Sequence, residues 1–444
     1  MLYDKLKKNK KIPFHMPGHK RNAKLLGDKL PYKLDITEID SFDNLHNPEG
    51  IIKEIENKAK NIYNSGKSFI LVNGSTVGIL AGVSSTVKRG DTVLVARNCH
   101  KSVYNALELM GADIHFIYPG TDEYGIFRPI NTDVVKLKID ELKPKLIIIT
   151  SPTYEGVCSD AENICKLAHS FNIPVLLDAA HGAHMYELGS AADIVIMSLH
   201  KTLPALTQCA VAHINGDLVS SEDFRIKLSV FETSSPSYVL MASIDECLTY
   251  ISSKDYKNIT GEYLLKRFKL NESLSKLNHL KALEYDDINK LIIFTGYSDI
   301  NGIRLADILR SDYNIEVEMA GKDYIILITT ECDDFKNYNL LSKALKEIDN
   351  SLVETEFKTS NLLPPPKKNC NPFELSNAKA VSVDLSAGKV CGEYVWAYPP
   401  GVPLIVPGEV ISEQLIESLK SDISDGVNIQ STYMELPEKI YCQL

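Results

Sequence analysis

Short unbroken apolar runs punctuate the first half of the chain, and each stops at a polar or glycine-rich turn. "SFILVN", "DTVLVA", "DIHFIY", "KLIIIT", "IPVLLD" and "ADIVIM" follow one another between residues 68 and 197. Runs of this length predict strands covered on both faces, because a strand with one wet face would alternate apolar and polar positions. Between them lie helical patterns: "VGILAGVSSTV" after "GST", a helix ending at Gly111, and amphipathic "DAENICKLAHSFN" with capping residues at its start. This alternation predicts an α/β domain built on a mainly parallel sheet with helices on both faces.

The second half is less regular. "LIIFTGY" and "YIILITT" predict strands of a smaller αβ unit, with helical "GIRLADILR" and "NLLSKALKEID" between and after them. "LLPPPKK" at 362–368 reads as a stiff connector. These shifts suggest four parts: an irregular N-terminal arm over 1–50, a large domain over 51–285, a small αβ domain over 286–361 and a C-terminal domain over 362–444. No internal repeat or low-complexity tract interrupts them.

Composition narrows the function classes. The 444 residues are 44% hydrophobic and 24% charged, ordinary values for a globular protein. A formal net charge of -10 argues against nucleic acid, which needs a basic face. Nine cysteines without a C-x-x-C pair suit free thiols in a reducing compartment. The basic N-terminus lacks the apolar stretch of a signal peptide, and no segment approaches the roughly 18 apolar residues of a membrane helix. The expected location is the cytoplasm.

Polar residues fall at telling places. Ser75 and Thr76, His100, Tyr154, Asp178, and the cluster from Ser198 to Lys201 each sit at or just beyond the C-terminal end of a predicted strand. Ligands bind along that edge of open parallel sheets. Lys201 sits at the mouth of a buried strand, where desolvation favours the neutral, nucleophilic amine that condenses with an aldehyde. Asp178, at the end of "VLLD", can keep a pyridine nitrogen protonated. "NGST" can place backbone amides, Ser75 and Thr76 around a phosphate at a helix N-terminus. Together they point to pyridoxal 5'-phosphate. Each residue also has a plainer reading: a snorkelling lysine, a capping aspartate, a Gly-Ser turn that binds nothing, a structural imidazole. The shared edge is what favours the cofactor. Zinc is not expected, since "HGAH" and "HMPGHK" lack further ligands and the H-E-x-x-H spacing.

With these residues assembled, the chain resembles the Orn/Lys/Arg decarboxylases, fold-type-I pyridoxal-phosphate enzymes of the aspartate-aminotransferase superfamily. The resemblance rests on "HMPGHK", "DITEID", "NGST", "RNCHKS", "SPTYEG", "DAAHGAH", "SLHKTLPALTQ", "TSSPSYVLMASID" and "YPPGVPLIVPGE", in that order over most of the length. It implies an aspartate-aminotransferase-like large domain with a seven-stranded sheet, plus smaller α+β C-terminal units. Lys201 would be the Schiff-base lysine and His200 a proton donor or carboxylate neighbour. Asp178 would hold the pyridinium, and His100 would stack on the ring. Ser75, Thr76 and Ser198 would bind phosphate, and His181 would contact the phenolic oxygen. Thr233 and Ser234 would come from the partner chain of a homodimer whose active site is shared between subunits. Ala179 stands where relatives often carry glutamate, which puts substrate contacts in question. The chain is similar to the short family members, without the receiver-like N-terminal domain of the long ones.

The implied reaction is α-decarboxylation of arginine, lysine or ornithine to agmatine, cadaverine or putrescine, a step of polyamine biosynthesis. The substrate's distal cation needs an anion, and Glu409 in "VPGE" and Glu393 in "CGEYVW" are the candidates. Another fold-type-I reaction, such as transamination or elimination, and a non-catalytic cofactor-binding relative are the competing expectations, since fold alone does not choose the bond broken.

Overall fold

The computed structural model describes residues 1–356 and 364–443. Leu362 and Leu363 of the expected connector, and the domain boundary placed there, lie outside the described residues. All six apolar runs form strands: β1 (Lys67–Leu71), β2 (Thr92–Ala96), β3 (Asp113–Ile117), β4 (Leu146–Thr150), β5 (Val175–Asp178) and β6 (Ile194–Ser198). A seventh, β7 (Ala210–Ile214), completes a sheet of order β1-β7-β6-β5-β4-β2-β3. The pairs β2–β3, β4–β5 and β5–β6 are parallel, whereas β7 runs antiparallel to both β6 and β1. The mainly parallel α/β class therefore stands, with one reversed strand that the apolar runs alone did not reveal.

The chain packs into two compact units, Met1–Lys88 with Ile139–Ser151 and Ala161–Asn258, and Arg89–Lys138 with Pro152–Asp160 and Ile259–Leu444. This division follows packing rather than chain order and so differs from the four consecutive parts read from composition.

In the first unit the N-terminal residues are more regular than expected. Leu2–Lys8 is a helix, and Ala23–Leu26 forms a further single turn. Leu2 and Leu6 are buried, and the Leu2 amide donates to Asp245 Oδ2 at 2.7 Å. Burial of two leucines one turn apart gives the helix the tertiary support that so short a segment lacks alone. The helix Gly74–Thr86 lies directly on the sheet. A Cβ on Gly78 would sit 3.0 Å from Ile196 Cδ1, and one on Gly82 would sit 2.9 Å from Leu176 Cδ1. Glycine at both positions permits that close seat.

The second unit contains a four-stranded antiparallel sheet, β8 (Lys281–Leu283), β9 (Lys290–Phe294), β10 (Met319–Ala320) and β11 (Tyr324–Ile328), in the order β10-β11-β9-β8. The expected helices appear as Gly302–Tyr313 and Lys336–Asp349, and their buried leucines pack with Leu291, Ile293 and Ile325 of the sheet. Two small three-stranded sheets and the helix Glu413–Ser424 close the C-terminal part. Among the described residues no helix is long and apolar enough to cross a membrane.

Candidate active site

Two neighbouring strands of the first unit deliver its reactive side chains. Asp178 is the last residue of β5 and only 4% exposed; its Oδ1 accepts the Ala180 amide at 3.2 Å. Burial pushes its carboxyl above the usual range, and the nearby Lys201 ammonium works in the opposite direction. β6 ends at Ser198, and the short helix Leu199–Thr202 follows at once with His200 and Lys201. Lys201 Nζ lies 2.8 Å from Nε2 of His181, a buried residue of the turn after β5. His200 Nδ1 lies 3.0 Å from the Cys209 carbonyl. A carbonyl can only accept, so Nδ1 carries the proton and Nε2 the lone pair. Burial lowers the His200 pKa, and the neutral ring is the form this setting favours.

The turn after β1 forms an anion-ready terminus. Gly74 adopts φ +76°, a left-handed conformation suited to glycine, and opens the helix Gly74–Thr86. Asn73 occupies the cap position, yet its side chain makes no capping bond to the helix. Its Oδ1 instead accepts the Thr233 amide at 3.2 Å. The first-turn amides, those of Ser75 and Thr76 among them, are thus left without a side-chain cap, and the helix dipole favours an anion there. Among the described residues, Ser198 Oγ, on a fully buried residue, has no hydrogen-bond partner, and the same holds for Thr202 Oγ1. Buried hydroxyls without partners are costly and call for an occupant. A primary amine, a buried carboxylate, an uncapped helix terminus and orphaned hydroxyls suit the aldehyde, ring nitrogen and phosphate of pyridoxal phosphate.

Other expected residues lie in the second unit. His100 caps the helix Lys101–Met110, its Nδ1 accepting the Ser102 amide at 3.2 Å and lying 2.9 Å from Ser102 Oγ. A Cβ on Gly401 would come within 3.1 Å of His100 Nε2. The Tyr154 hydroxyl donates to Glu318 Oε1 at 2.7 Å.

Glu409 and Glu393, the expected substrate-binding carboxylates, are both buried and hydrogen-bonded within the second unit. Glu409 is 0% exposed and forms a two-point pair with Arg97, Nε to Oε1 at 3.0 Å and Nη2 to Oε2 at 2.8 Å. Its Oε2 also accepts the Val406 amide at 2.9 Å. Burial opposes the Arg97 charge, but Tyr104 and Glu409 more than offset it and hold the guanidinium above its ordinary range. Glu393 is 1% exposed and accepts the Tyr441 amide at 2.7 Å and the Tyr433 amide at 3.1 Å. Both carboxylates thus fasten the second unit internally, Glu409 to Arg97 and Glu393 to the Tyr433 and Tyr441 amides. The Thr233 amide donates to Asn73 Oδ1, and the Thr233 and Ser234 side chains are exposed. Among the described residues no three His, Cys, Asp or Glu side chains gather around a metal-sized point.

A sequence profile for the Orn/Lys/Arg decarboxylase major domain matches residues 2–295, and one for the C-terminal domain of the same enzymes matches residues 354–421. The chain belongs to the Orn/Lys/Arg decarboxylase family. This decarboxylase is 33% identical over 459 residues to the uncharacterised Bacillus subtilis protein YaaO, covering 96% of the chain and 94% of the relative. It is 31% identical over 465 residues to a Bacillus subtilis arginine decarboxylase, covering 97% and 94%. Among solved structures, the lysine decarboxylase of Francisella novicida shares its fold, with TM-score 0.84 and 18% identity over 99% of this chain and 80% of that one. The family decarboxylates basic amino acids with pyridoxal 5'-phosphate, and that is the cofactor of this decarboxylase.

Thr202, Asn73 and the Cys209 carbonyl escaped the reading of the sequence. Thr202 directly follows Lys201, and Asn73 opens the "NGST" turn, so adjacency was the available signal for both. The Cys209 carbonyl carries no side-chain signal at all.

Proposed function

We propose that this decarboxylase removes the α-carboxyl group of arginine and releases agmatine. The observation that carries the chemistry is the Lys201 amine held 2.8 Å from His181 beside the buried Asp178. The choice of arginine is supported by the Bacillus subtilis arginine decarboxylase, which aligns with nearly the whole chain.

Bound pyridoxal phosphate supplies an aldehyde for amine condensation and a protonated ring that withdraws electrons from the substrate's α-carbon. In this reading Lys201 would be the amine that holds the cofactor's aldehyde carbon. Asp178 keeps the proton on the ring nitrogen, and its burial strengthens that ion pair once the cation is in place. Ser75, Thr76, Ser198 and the helix amides would hold the phosphate, with His181 and His100 the residues assigned to the phenolic oxygen and the ring face. As an ammonium, Lys201 would be the better proton donor to the α-carbon. Neutral His200, with its one N–H turned to Cys209, offers a lone pair instead. The working assembly is a homodimer, which sedimentation of the purified protein tests.

Incubation with arginine, lysine and ornithine in turn, followed by mass spectrometry of the amine formed, tests the substrate. Agmatine should dominate. Faster release of cadaverine or putrescine would replace arginine, and no carbon dioxide from any of the three would defeat the proposal.

A further inference from the structure

The segment "ETSSPS" after the helix Ser221–Phe231 grips the turn that opens the phosphate helix. The β1–β7 ladder ends at the Leu71–Ala210 pair, so the next amide, that of Val72, leaves the sheet. It donates to Glu232 Oε1 at 2.7 Å. The following residue of each segment is also joined, the Thr233 amide donating to Asn73 Oδ1 at 3.2 Å. The Gly74 amide donates to the Gln208 carbonyl at 2.9 Å. Val72, Asn73 and Gly74 are thereby each held by a segment remote in sequence.

Glu232 is only 5% exposed. Its charged neighbours are Arg225 and Glu56, and Arg225 Nη2 is directed to Glu56, at 2.8 and 2.9 Å from its two carboxylate oxygens. A leucine would fill this space without the desolvation cost of a carboxyl group, so the acceptor oxygen is what the site requires. Asparagine at a helix cap ordinarily bonds the helix's own second or third amide. Here the Thr233 amide draws that side chain away.

We propose that Glu232, together with Thr233, is a positioning residue for the cofactor's phosphate, clamping the Val72–Gly74 turn so that the first-turn amides of the helix stay uncapped for the anion. The proposal rests on the pyridoxal-phosphate reading above.

Wild type, Glu232→Ala and Glu232→Gln are stripped of cofactor and titrated with pyridoxal phosphate, following visible absorbance, with hydrogen exchange of residues 72–76 measured in parallel. Glu232→Ala should raise the dissociation constant about tenfold or more and speed exchange in the turn, the scale of one lost hydrogen bond and an orphaned amide. Glu232→Gln keeps an acceptor oxygen and should bind within about threefold of wild type. Should the alanine variant fail to fold, Asn73→Ser provides a second route. Its short side chain can cap the helix in place of the phosphate, so affinity should fall while the melting temperature holds. Unchanged affinity in Glu232→Ala, equal damage from the glutamine and alanine changes, or unchanged affinity in Asn73→Ser would overturn the clamp. Wild type that takes up no pyridoxal phosphate would instead overturn the cofactor reading and the clamp with it.

Discussion

Burial raises the pKa of the Asp178 carboxyl, while the role proposed for it requires the charged form. A pyridinium cation at bonding distance reverses that balance, as an opposite charge does for any buried acid. Asp178→Asn should therefore retain phosphate-anchored cofactor and lose roughly a hundredfold or more in kcat, the range of a positioned proton-holding group. Steady-state kinetics with absorbance-verified loading would show it, and an undiminished rate would remove Asp178 from the ring nitrogen. Glu232 gives a second residue-scale test. Burial, partly countered by the Val72 amide and Arg225, pushes its pKa up to about 7. The folded state then binds this proton more tightly than the unfolded chain, so stability rises as pH falls through 7 and levels off below the ordinary carboxylate range. Glu232→Gln should melt higher than wild type at pH 8, and the gap should narrow by pH 5.5. The placement of Lys201 and Asp178 at strand ends was legible in the sequence, because each follows an apolar run directly. Glu232 was not, since its task is to satisfy one backbone amide and any polar loop contains such a carboxylate.

At the scale of elements, β7 shows why one strand went unread. Its sequence "AVAHI" is as long as most of its neighbours, but two alanines and a histidine leave only Val211 and Ile214 as large apolar residues. The structure buries His213 completely and sets its Nδ1 2.8 Å from Ser68 Oγ on β1, while burial lowers its pKa to about 3. A neutral imidazole with a partner can occupy a core strand, but the partner is invisible until the pairing is known. The Arg97 partner of Glu409 was hidden from the sequence in the same way. A carboxylate in "VPGE" looks available until Arg97, 312 residues away in sequence, is found against it. Glu409→Gln should cost about 3–5 kcal/mol in chemical denaturation, because it leaves a buried guanidinium uncompensated. The Michaelis constant for arginine should stay unchanged. A raised constant with intact stability would return Glu409 to the substrate pocket.

For the whole molecule, the cofactor should act as a folding ligand. Cofactor at a hundred times its dissociation constant should add about 2.7 kcal/mol to the first unit, read as a rise in melting temperature. Lys201→Ala, lacking the covalent tether, should show a smaller rise at the same concentration. An equal shift in both proteins would mean that Lys201 does not hold the aldehyde. The domain architecture was only partly legible. Each of the six apolar runs marked a strand, yet the compact units join stretches distant in the chain, such as Arg89–Lys138 with Ile259–Leu444. Composition changes along a chain cannot report which stretches share a core.

Gly78 and Gly82 bring the helix onto the sheet so closely that Ile196 and Leu176 already touch the space a methyl group would need. The height of this helix above the sheet is thus gauged by helix main chain seated directly on the side chains of the strands. During divergence, a homologue that gains alanine at either glycine should carry a compensating smaller residue at the facing isoleucine or leucine, and paired substitutions of that kind are where drift in this family can be sought.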